Sequence, residues 1–598
     1  MSSSSKHFVD APEDAVSSSL LGLVHASSGP ELKLLSGFPE IKVVVSSDFV
    51  KIPSDERPVS LISGGGSGHE PGQAGYVGPG MLSAAVCGDI FASPSAEAVY
   101  WAIKATTGKA GCLLIVMNYT GDRLNFGLAA ERAKAEGLKV EMVVVGEDVA
   151  LPSKKAGRRG LAGTILIHKI CGAAAATKRK TLSDICALAK EACDSMGTMG
   201  VSLTTCNIPG QPASTRLAGD EMEVGLGIHG EPGRKKAKLQ TATEIVQLVV
   251  DAIAKPGGNE YFQVAEGSDV ILLINNLGST TSIELGLVAE KALKYCTGSL
   301  KLSVKRLLVG SFKTALDMAG ISITLMKNAP SFLSFLDLPT DAPAWPKSTR
   351  RDPTSDCFFD AGALDGEEPA ASSAAAEAGG GVPLEGWEQQ VVRSAIRKAC
   401  EEVVKCQKAV DDLDRLIGDG DCGSTMKKGG EGILKDMDGY DFGRSSGIAL
   451  GLAQSVLLHM GGTSGAIYNI FFTAAQTSLA SAVEEEESCK YAHFVRAFKA
   501  GVDAIQKYGG AGVGDRTLVD ALHPFAHSLD GGLSGKSEIK QNLEQALLRA
   551  EQSAERTKSM TEAILGRSSY VPEDALKGNA DPGAVVACKW IAGFVSAL

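Results

Sequence analysis

Three aspartates in a short glycine-rich stretch have the spacing that points most directly to chemistry. Asp414 lies in the last turn of a predicted helix, and Asp419 and Asp421 follow within IGDGDCGST, residues 417–425. Alternating glycines place both loop carboxylates on one side and permit the positive φ angles of a tight bend. Three converging carboxylates repel one another unless a divalent cation joins them, and oxygen ligands favour Mg²⁺ or Ca²⁺ over Zn²⁺.

The alternatives for this acidic turn are a calcium-type loop and an acidic helix C-terminus without a ligand. The spacing does not fit the EF-hand pattern. Carboxylates at a helix C-terminus also oppose the helix dipole, so a purely structural role is a poor explanation. We therefore predict that Asp414, Asp419 and Asp421 bind a metal ion.

Two histidines lie in glycine-rich segments of the first half of the chain. His69 stands beside Ser67 in ISGGGSGHEPG, residues 62–72, and His229 stands in GLGIHGEPG, residues 225–233. Glycines let the backbone approach a small ligand, and a neutral imidazole can act as base or nucleophile. Asp122 follows a predicted strand, at the edge where open α/β sheets usually bind ligands. These residues predict a small-molecule site.

The second histidine segment also matches the dinucleotide-binding pattern G-x-G-x-x-G through Gly225, Gly227 and Gly230. A dinucleotide turn needs a helix that starts at its third glycine, but EPGRKK is a poor helix start. The segment before it, DEMEV, is only a weak strand pattern. We interpret these glycines as making room for His229.

Two further glycine-rich segments, MGGTSGAIY (460–468) and GGAGVGDRTLVDAL (509–522), adjoin predicted helices in the second half of the chain. Backbone N–H groups at helix N-termini favour phosphate. Each segment alone is explained as a helix connector. Beside a metal-binding acidic turn, the two suggest a nucleotide bound through magnesium.

The elements that position these residues fall into two groups. Between residues 55 and 340, apolar runs that read as strands, such as CLLIVMN (112–118), VSLTTC (201–206) and VILLINN (270–276), alternate with amphipathic helical patterns. This alternation predicts an α/β domain over residues 10–345. Residues 346–385, rich in alanine, glycine, serine and acid, are predicted to be a flexible linker. Only helical patterns follow, so residues 386–598 are predicted to form an all-α domain of seven or eight helices.

Bulk composition excludes several classes of protein. The 598 residues are 44% hydrophobic and 22% charged, as in soluble globular proteins. The net charge of −11 argues against a nucleic-acid partner, and no apolar run is long enough to span a membrane. The N-terminus lacks the apolar region of a secretory signal, and 13 cysteines without a C-x-x-C pair suit a reducing, cytoplasmic compartment.

Seven segments, in this order along the chain, resemble those of ATP-dependent dihydroxyacetone kinases of the single-chain, two-domain form. They are GGGSGHEP, NYTGDRLNFG, GIHGEPG, LDRLIGDGDCG, GGTSGA, GDRTLVDAL and DPGA. The family includes the animal triokinase that doubles as an FMN cyclase, and GRRGLAGTILIHK (158–170) is similar to that branch. The resemblance implies an α/β substrate domain followed by an all-α eight-helix barrel that binds the nucleotide.

The resemblance also implies roles for individual residues. His229 would form a covalent hemiaminal with dihydroxyacetone, His69 would hydrogen-bond the substrate, and Asp122 would be the base. Gly66, Ser67 and Gly68 would line the substrate pocket. Asp414, Asp419 and Asp421 would hold two Mg²⁺ ions that bridge the ATP phosphates. The residues implied to border ATP are Asp419, Gly420, Asp421, Cys422, Gly423, Thr463, Ser464, Gly510, Thr517, Leu518, Asp581, Pro582 and Gly583.

One position departs from the family pattern. Family members commonly have lysine directly before NYTGD, where this chain has Met117. Methionine is a flexible apolar side chain and cannot supply an ammonium to substrate or phosphoryl group. The departure puts substrate affinity and the preferred triose in question, but it does not affect the hemiaminal.

The sequence thus predicts a homodimeric kinase that uses ATP to phosphorylate dihydroxyacetone and D-glyceraldehyde. An alternative is an FAD-AMP lyase, which would use Mn²⁺ or Co²⁺ in the helical domain to form riboflavin cyclic 4′,5′-phosphate. Such an activity would not need His229. A second alternative is a triose-binding regulator without catalysis, although the retained Asp122, His229 and three metal-site aspartates argue against it.

Overall fold

The computed structural model describes residues 6–152, 157–212, 216–346, 352–355, 381–481, 490–560 and 576–598. The chain forms two compact units, Met1–Phe359 and Asp360–Leu598. Most of the predicted linker lies outside the described residues. Val382 and Leu384, which fall within that prediction, hydrogen-bond through their backbones to Ser445 and Gly443 and so belong to the second unit.

The first sheet of unit 1 supplies the edge to which His69 and Asp122 belong. Its strands lie in the order β1-β2-β4-β3-β5-β6. The pairs β3–β4, β3–β5 and β5–β6 are parallel, and β1–β2 and β2–β4 are antiparallel. The strand bounds are β1 Leu32–Leu34, β2 Val43–Ser46, β3 Ser60–Ser67, β4 Ala84–Ile90, β5 Cys112–Met117 and β6 Val140–Val145. The central strand β5 is apolar and buried throughout, as expected for a parallel strand covered on both faces.

The second sheet of unit 1 has the order β11-β10-β12-β7-β8-β9. Only β10 and β11 are parallel, and the other pairs are antiparallel. The bounds are β7 Met196–Ser202, β8 Glu221–Val224, β9 Lys235–Lys238, β10 Asp269–Asn276, β11 Ser303–Gly310 and β12 Gly320–Lys327. The predicted α/β class is therefore confirmed, with two mixed sheets.

Helices cover the sheets of unit 1 and begin at clear sequence signals. Thr181, Thr241 and Thr281 each form a capping box with an acidic residue three positions later, which fixes the starts of α6, α7 and α8. The helix bounds are α1 Ala15–Ala26, α2 Ser47–Lys51, α3 Ala96–Thr106, α4 Thr120–Ala135, α5 Thr164–Ala176, α6 Leu182–Asp194, α7 Ala242–Ala254, α8 Ser282–Lys294 and α9 Pro330–Leu336.

Unit 2 is helical, as predicted, and its long helices close into a ring. Each helix packs against the next in sequence, and α17 packs against α10. The bounds are α10 Gly386–Ile417, α11 Cys422–Asp436, α12 Ser445–His459, α13 Gly462–Ala480, α14 Lys490–Gly509, α15 Val519–Ser528, α16 Lys536–Arg556 and α17 Pro582–Ser596. Over the residues described, these eight helices form a barrel.

Helix α11 has no clear helical signal in the sequence, because four glycines interrupt it. Those glycines allow close packing. A Cβ atom on Gly423 would lie 2.1 Å from the Gln407 carbonyl oxygen of α10. A Cβ on Gly432 would lie 2.4 Å from the His459 ring of α12.

The interior of the barrel holds a cavity of about 430 Å³ lined almost entirely by apolar side chains. Phe471, Phe498, Phe525 and Trp590 are among them. In the part of the chain described, none of the helices has both the length and the apolarity needed to cross a membrane.

Candidate active site

The residues of the candidate small-molecule site in unit 1 lie where three parallel strands end. His69 follows β3, Ser93 follows β4, and Asp122 lies in the first turn of α4 after β5. The carboxyl ends of parallel strands share one sheet edge, which brings these three loops together. The predicted position of Asp122 at a strand's carboxyl end is thereby confirmed.

Close backbone approach explains the glycines before His69. Gly65 has φ +149°, and a Cβ atom there would lie 3.5 Å from Asp122 Oδ2. A Cβ on Gly66 would lie 2.8 Å from the Ala92 backbone nitrogen, and one on Gly68 would lie 2.8 Å from the Phe91 ring. The loop can therefore press against the segment after β4 only because these positions lack side chains.

His69 is held as a neutral imidazole with a defined tautomer. Its Nδ1 lies 2.8 Å from the carbonyl oxygen of Thr314, and a carbonyl can only accept, so Nδ1 carries the proton. Burial and the nearby charges of Lys313 and His229 hold the pKa of His69 well below its ordinary value. Nε2 is buried without a hydrogen-bond partner among the described residues, so its lone pair is free to accept from a ligand hydroxyl.

His229 is framed by rings and remains partly open. Its side chain is 26% exposed, and its ring centroid lies 4.9 Å from that of His69, 5.1 Å from Phe91 and 4.8 Å from Tyr119. The structure thus brings together the two histidines that the sequence singled out. An accessible imidazole between the buried His69 ring and the half-buried rings of Phe91 and Tyr119 suits a nucleophile facing a small ligand.

Glu231 orients His229 and was missed in the sequence. The backbone N–H of His229 donates to Glu231 Oε2 over 2.8 Å, and the ring nitrogen Nδ1 of His229 lies 3.4 Å from Glu231 Oε1. Burial opposes ionisation of Glu231, but the hydrogen bond and charge of His229 outweigh it, so the pKa of Glu231 is lowered. A proton on Nδ1 shared with this carboxylate leaves Nε2 of His229 with the lone pair.

The glycines around His229 have a different purpose from the one predicted. A Cβ atom on Gly227 would lie 2.2 Å from Glu231 Cδ, so the glycine makes room for the glutamate rather than for the histidine. Gly225 and Gly230 both have φ +75°. The described residues 225–234 contain no helix, whereas a dinucleotide turn needs one that starts at its third glycine.

Asp122 is the buried carboxylate of the pocket. Burial raises its pKa, against the opposing effects of a Ser93 hydrogen bond and of the charges on Lys313 and His229. Its Oδ1 has no hydrogen-bond partner among the residues described. A carboxylate with a raised pKa and a free oxygen is suited to accept a proton from a bound hydroxyl.

Met117 lies inside an apolar cluster with Leu161 and Ile228, against which Tyr119 packs. Its Sδ accepts a hydrogen bond from Gln73 Nε2 at 3.4 Å. The side chain is therefore anchored in this cluster, which we call the apolar wall, and carries no charge.

The acidic turn of unit 2 is built by Asp414. Asp414 Oδ2 accepts hydrogen bonds from the backbone N–H groups of Gly420, Asp421 and Cys422 at 2.9, 3.0 and 3.1 Å. Gly420 has φ +79°, as the predicted tight bend requires. Asp411, one turn earlier and not predicted, accepts from the backbone and hydroxyl of Ser424 and so fixes the start of α11.

The three predicted metal ligands come together. Asp414, Asp419 and Asp421 each offer a carboxylate oxygen, and these atoms all lie within 4.8 Å of one another. Asp414 is buried, whereas Asp419 and Asp421 are exposed. A cluster of oxygen donors open to solvent on one side fits Mg²⁺, which keeps water or phosphate oxygens in its coordination shell.

The other residues implied to border ATP lie at helix ends. Asp581 caps α17 by accepting from the Ala584 N–H over 2.7 Å, and the Cβ position of Gly583 is 3.4 Å from Leu518 Cβ. These residues therefore adjoin Thr517 and Leu518 at the start of α15. Thr463 and Ser464 lie in the first turn of α13. Gly510, in contrast, follows α14, and its N–H is used by the Gln506 carbonyl, so it cannot donate to a phosphate.

Burial favours the neutral forms of two groups beside the acidic turn, Cys422 and Asp581. Burial, with the charges of Asp414 and Asp581, raises the pKa of the Cys422 thiol to about 12. Burial likewise raises the pKa of Asp581 to about 7, against the Ala584 hydrogen bond and the charge of Arg516.

Comparison with known proteins gives both units a family. A Dak1 domain matches residues 32–344, and a DAK2 domain matches residues 416–596. The chain belongs to the dihydroxyacetone kinase family. A Solanum lycopersicum protein whose name proposes 3,4-dihydroxy-2-butanone kinase activity is 44% identical, over 98% of this chain and 97% of that protein. The triokinase/FMN cyclase of Rattus norvegicus is 40% identical, with the same shares of the two chains covered.

A solved structure of the dihydroxyacetone kinase family is similar over both units. The dihydroxyacetone kinase of C. freundii in complex with AMP-PNP and Mg²⁺ is 33% identical, with a TM-score of 0.64 and 100% of each chain covered. That complex holds a nucleotide analogue and Mg²⁺, the metal ion that the acidic turn of the present chain fits.

Two functional residues beyond the predicted set carried weak signals in the sequence. Both histidine segments contain a glutamate followed by proline and glycine, as GHEPG and HGEPG. Glu70 accepts from the Gly68 N–H just as Glu231 accepts from the His229 N–H. The repeated pattern could have identified both carboxylates as positioning residues.

Proposed function

We propose that this dihydroxyacetone kinase family member transfers the γ-phosphoryl group of ATP to a hydroxyl of dihydroxyacetone, and also of D-glyceraldehyde. The observation that carries the proposal is the partly exposed His229 imidazole beside His69, close enough to the buried Asp122 carboxylate to act on it electrostatically. The same chain holds three carboxylates suited to Mg²⁺. One chain thus has a carbonyl-binding site and a metal-nucleotide site.

In this proposal the imidazole of His229 holds the acceptor covalently. Its Nε2 adds to the ketone carbon as the C=O π bond breaks. The carbonyl oxygen takes one proton from water, and Nδ1 releases one to solvent through Glu231, so the adduct is a neutral hemiaminal. Glu231 is placed for this role by its 3.4 Å approach to Nδ1. The site would therefore select dihydroxyacetone over glycerol, because glycerol has no carbonyl group to react with His229.

The acceptor hydroxyl is then activated by the pocket's two acceptors. His69 Nε2 accepts a hydrogen bond from the substrate, and Asp122 takes the proton of the attacking hydroxyl as its oxygen bonds to phosphorus. The free Asp122 Oδ1 and His69 Nε2 support this assignment. Gly66, Ser67 and Gly68 bring backbone close to the substrate.

Unit 2 would bind ATP. Asp414, Asp419 and Asp421 would hold two Mg²⁺ ions, which neutralise the phosphate charge when bound. Thr463 and Ser464, at the N-terminus of α13, supply backbone donors to phosphate. Leu518 and the segment 581–583 border the nucleotide.

A second candidate activity is cleavage of FAD to riboflavin cyclic 4′,5′-phosphate and AMP, with Mn²⁺ or Co²⁺. The acidic turn favours it, because that site is complete without any residue of unit 1. The rat relative carries both activities in its name. FAD cleavage would therefore persist when His229 is replaced.

A methyl ketone is a further acceptor to assay. The apolar wall of Met117, Leu161 and Ile228 would pack a methyl group in place of a hydroxymethyl group. The tomato relative's name points to such an acceptor. Dihydroxyacetone is the main acceptor in this proposal, because the buried Asp122 and His69 can also hydrogen-bond its second hydroxyl.

In-line transfer requires the acceptor site and the ATP site to meet, in one chain or across two. We propose a cytoplasmic homodimer in which this meeting occurs.

The test is ADP release from Mg·ATP with a panel of acceptors, run with the full-length chain. Dihydroxyacetone and D-glyceraldehyde should support turnover, and glycerol should not. FAD with Mn²⁺ is assayed in parallel. Turnover with glycerol equal to that with dihydroxyacetone would contradict the hemiaminal, and no turnover with any carbonyl acceptor would contradict the kinase.

A further inference from the structure

A buried lysine lies beneath the acceptor pocket. Lys313 is 1% exposed and follows β11 in unit 1. Asn275 clamps its backbone: Oδ1 accepts from the N–H groups of Phe312 and Lys313 over 2.9 Å each, and Nδ2 donates to the Lys313 carbonyl over 2.7 Å. The side chain therefore leaves the backbone from a fixed position.

The residues that follow Lys313 hold the His69 loop. The Thr314 carbonyl accepts from His69 Nδ1, the Thr314 hydroxyl donates to the Glu70 carbonyl over 2.8 Å, and the Leu316 N–H donates to the Gly68 carbonyl over 2.8 Å. The residues directly after Lys313 thus support the loop that carries His69.

The ammonium runs under the turn after His69. Lys313 Nζ and Cγ each lie 3.6 Å from the position of a Cβ atom on Gly72, whose N–H donates to the His69 carbonyl. Nζ makes no hydrogen bond or ion pair with any residue that the structure describes, so its donors are unused. The titratable groups that face it electrostatically are Asp122, Glu70, Glu147, Cys87, His69 and His168.

A buried ammonium without hydrogen-bond partners is unfavourable in free energy, which argues that Lys313 has a function. Removing a cation from water costs several kcal/mol unless other groups compensate. Burial lowers the pKa of Lys313 to about 8, and the charges of Asp122, Glu70 and Glu147 oppose this effect. The side chain is therefore mainly charged at neutral pH.

We infer that Lys313 is the cation of the acceptor site, a positioning residue that keeps Asp122 ionised and offsets the negative charge on the acceptor oxygen as its proton leaves. This inference rests on the proposed kinase activity. Lys313 supplies the positive charge that Met117, which lies in the apolar wall, lacks. Lys313 keeps its proton throughout, and the hydroxyl proton goes to Asp122 while the oxygen–phosphorus bond forms.

The test compares wild type, Lys313→Met and Lys313→Arg, with Lys169→Met as the matched control. Lys169 is also buried with a pKa lowered by burial to about 8, but its Nζ donates to the Phe335 carbonyl away from the pocket. Steady-state rates with dihydroxyacetone are measured from pH 6 to pH 9.5, and thermal unfolding checks that each variant folds.

We expect Lys313→Met to lower kcat by about 100-fold with an unchanged KM for ATP, and to move the acid limb of the rate profile to higher pH. In wild type the rate should fall as pH rises through the lysine pKa, because the ammonium is lost above it. Lys313→Arg should retain substantial activity without that alkaline fall, since arginine stays charged. Lys169→Met should match wild type.

Two results would overturn the inference while the proposed function stands. The first is a folded Lys313→Met with the rate and pH profile of an active wild type. The second is an equal loss in Lys313→Met and Lys313→Arg with the wild-type pH profile retained, which would show packing alone. A wild type inactive with every carbonyl acceptor would instead overturn the proposed function, and the inference with it.

Discussion

At the residue scale, burial acts on two neighbouring groups of the acceptor pocket in opposite senses. It raises the pKa of Asp122, a carboxyl, and lowers the pKa of His69, an imidazole, because both lose solvation of their charged forms. Positive charge from Lys313 and His229 counters the first effect and reinforces the second. The pocket thus contains a carboxylate suited to take a proton and a neutral histidine whose unpartnered Nε2 can accept a hydrogen bond.

Replacement of Asp122 by asparagine should lower kcat by about 10²- to 10⁴-fold, the usual contribution of a general base. Wild-type activity should rise with pH as Asp122 loses its proton, at a pH above the ordinary aspartate range, and the variant should lack this limb. The measurement is the pH–rate profile with dihydroxyacetone. Asp48→Asn is the matched control, since Asp48 also lies in a first helical turn but on α2. A variant that keeps the acid limb would exclude Asp122 as the base.

Glu147 supplies a second residue-scale prediction, on stability. Burial raises its pKa to about 7, against a hydrogen bond from the Leu161 N–H. Below pH 4.5 the glutamate is protonated in both the folded and unfolded states, and its favourable contribution is lost as pH rises through the folded pKa. Glu147→Gln should therefore be stabilising above pH 7, by up to about 3 kcal/mol, with little gain at pH 5.

The measurement for Glu147→Gln is the melting temperature at pH 5 and pH 8. Glu141→Gln, at an exposed position of β6, is the control and should change neither value. A gain of equal size at both pH values would show that charge burial is not the cause.

The sequence revealed those site residues whose neighbours are unusual. His69, His229 and the three aspartates stand among glycines, so their segments are distinctive without a structure. Lys313 stands in VGSFKTALD, which has no such pattern, and only the fold brings it under Gly72. The roles assigned to the predicted residues remain predictions until the variants are measured.

At the element scale, the strands that were predicted are those with continuous apolar runs. β5 and β10 lie where CLLIVMN and VILLINN predicted them. The prediction of a strand over residues 201–206 was wrong in its bounds, since β7 spans Met196–Ser202. Its MGTMG start contains two glycines, which pack closely against Phe262 and the neighbouring strand and hide the strand pattern.

The start of α11 is the element on which the acidic turn depends most directly. Gly423→Ala would place a Cβ atom 2.1 Å from the Gln407 carbonyl oxygen and 2.8 Å from Asp411 Oδ1. Separation of α11 from α10 should lower stability by about 1–3 kcal/mol and raise the KM for Mg·ATP. The KM for dihydroxyacetone should stay near the wild-type value.

Calorimetric unfolding and initial rates at varied Mg·ATP measure both effects of Gly423→Ala. Gly439→Ala is the control, because no atom lies within 4 Å of its Cβ position. If the two variants behave alike, the close packing of α11 on α10 does not shape the acidic turn.

At the scale of the whole molecule, the chain separates two tasks. Unit 1 places a partly exposed imidazole beside a second histidine and a buried carboxylate, and unit 2 places three carboxylates at the end of a barrel helix. Phosphoryl transfer needs positioning and charge neutralisation more than covalent chemistry by the protein, so the two tasks can be held on separate units. The change from alternating to purely helical patterns predicted this division. Closure of the helices into a ring depends on contacts far apart in sequence and could not be derived from periodicity.

The most direct test of the account is ADP release from Mg·ATP and dihydroxyacetone by wild type, His229→Ala and His527→Ala. His527 is an exposed histidine of α15 and serves as the control. We expect turnover by wild type and His527→Ala and its loss in His229→Ala, while FAD cleavage, where present, is unchanged by either substitution. Undiminished turnover by a folded His229→Ala would contradict the covalent acceptor site on which the account rests.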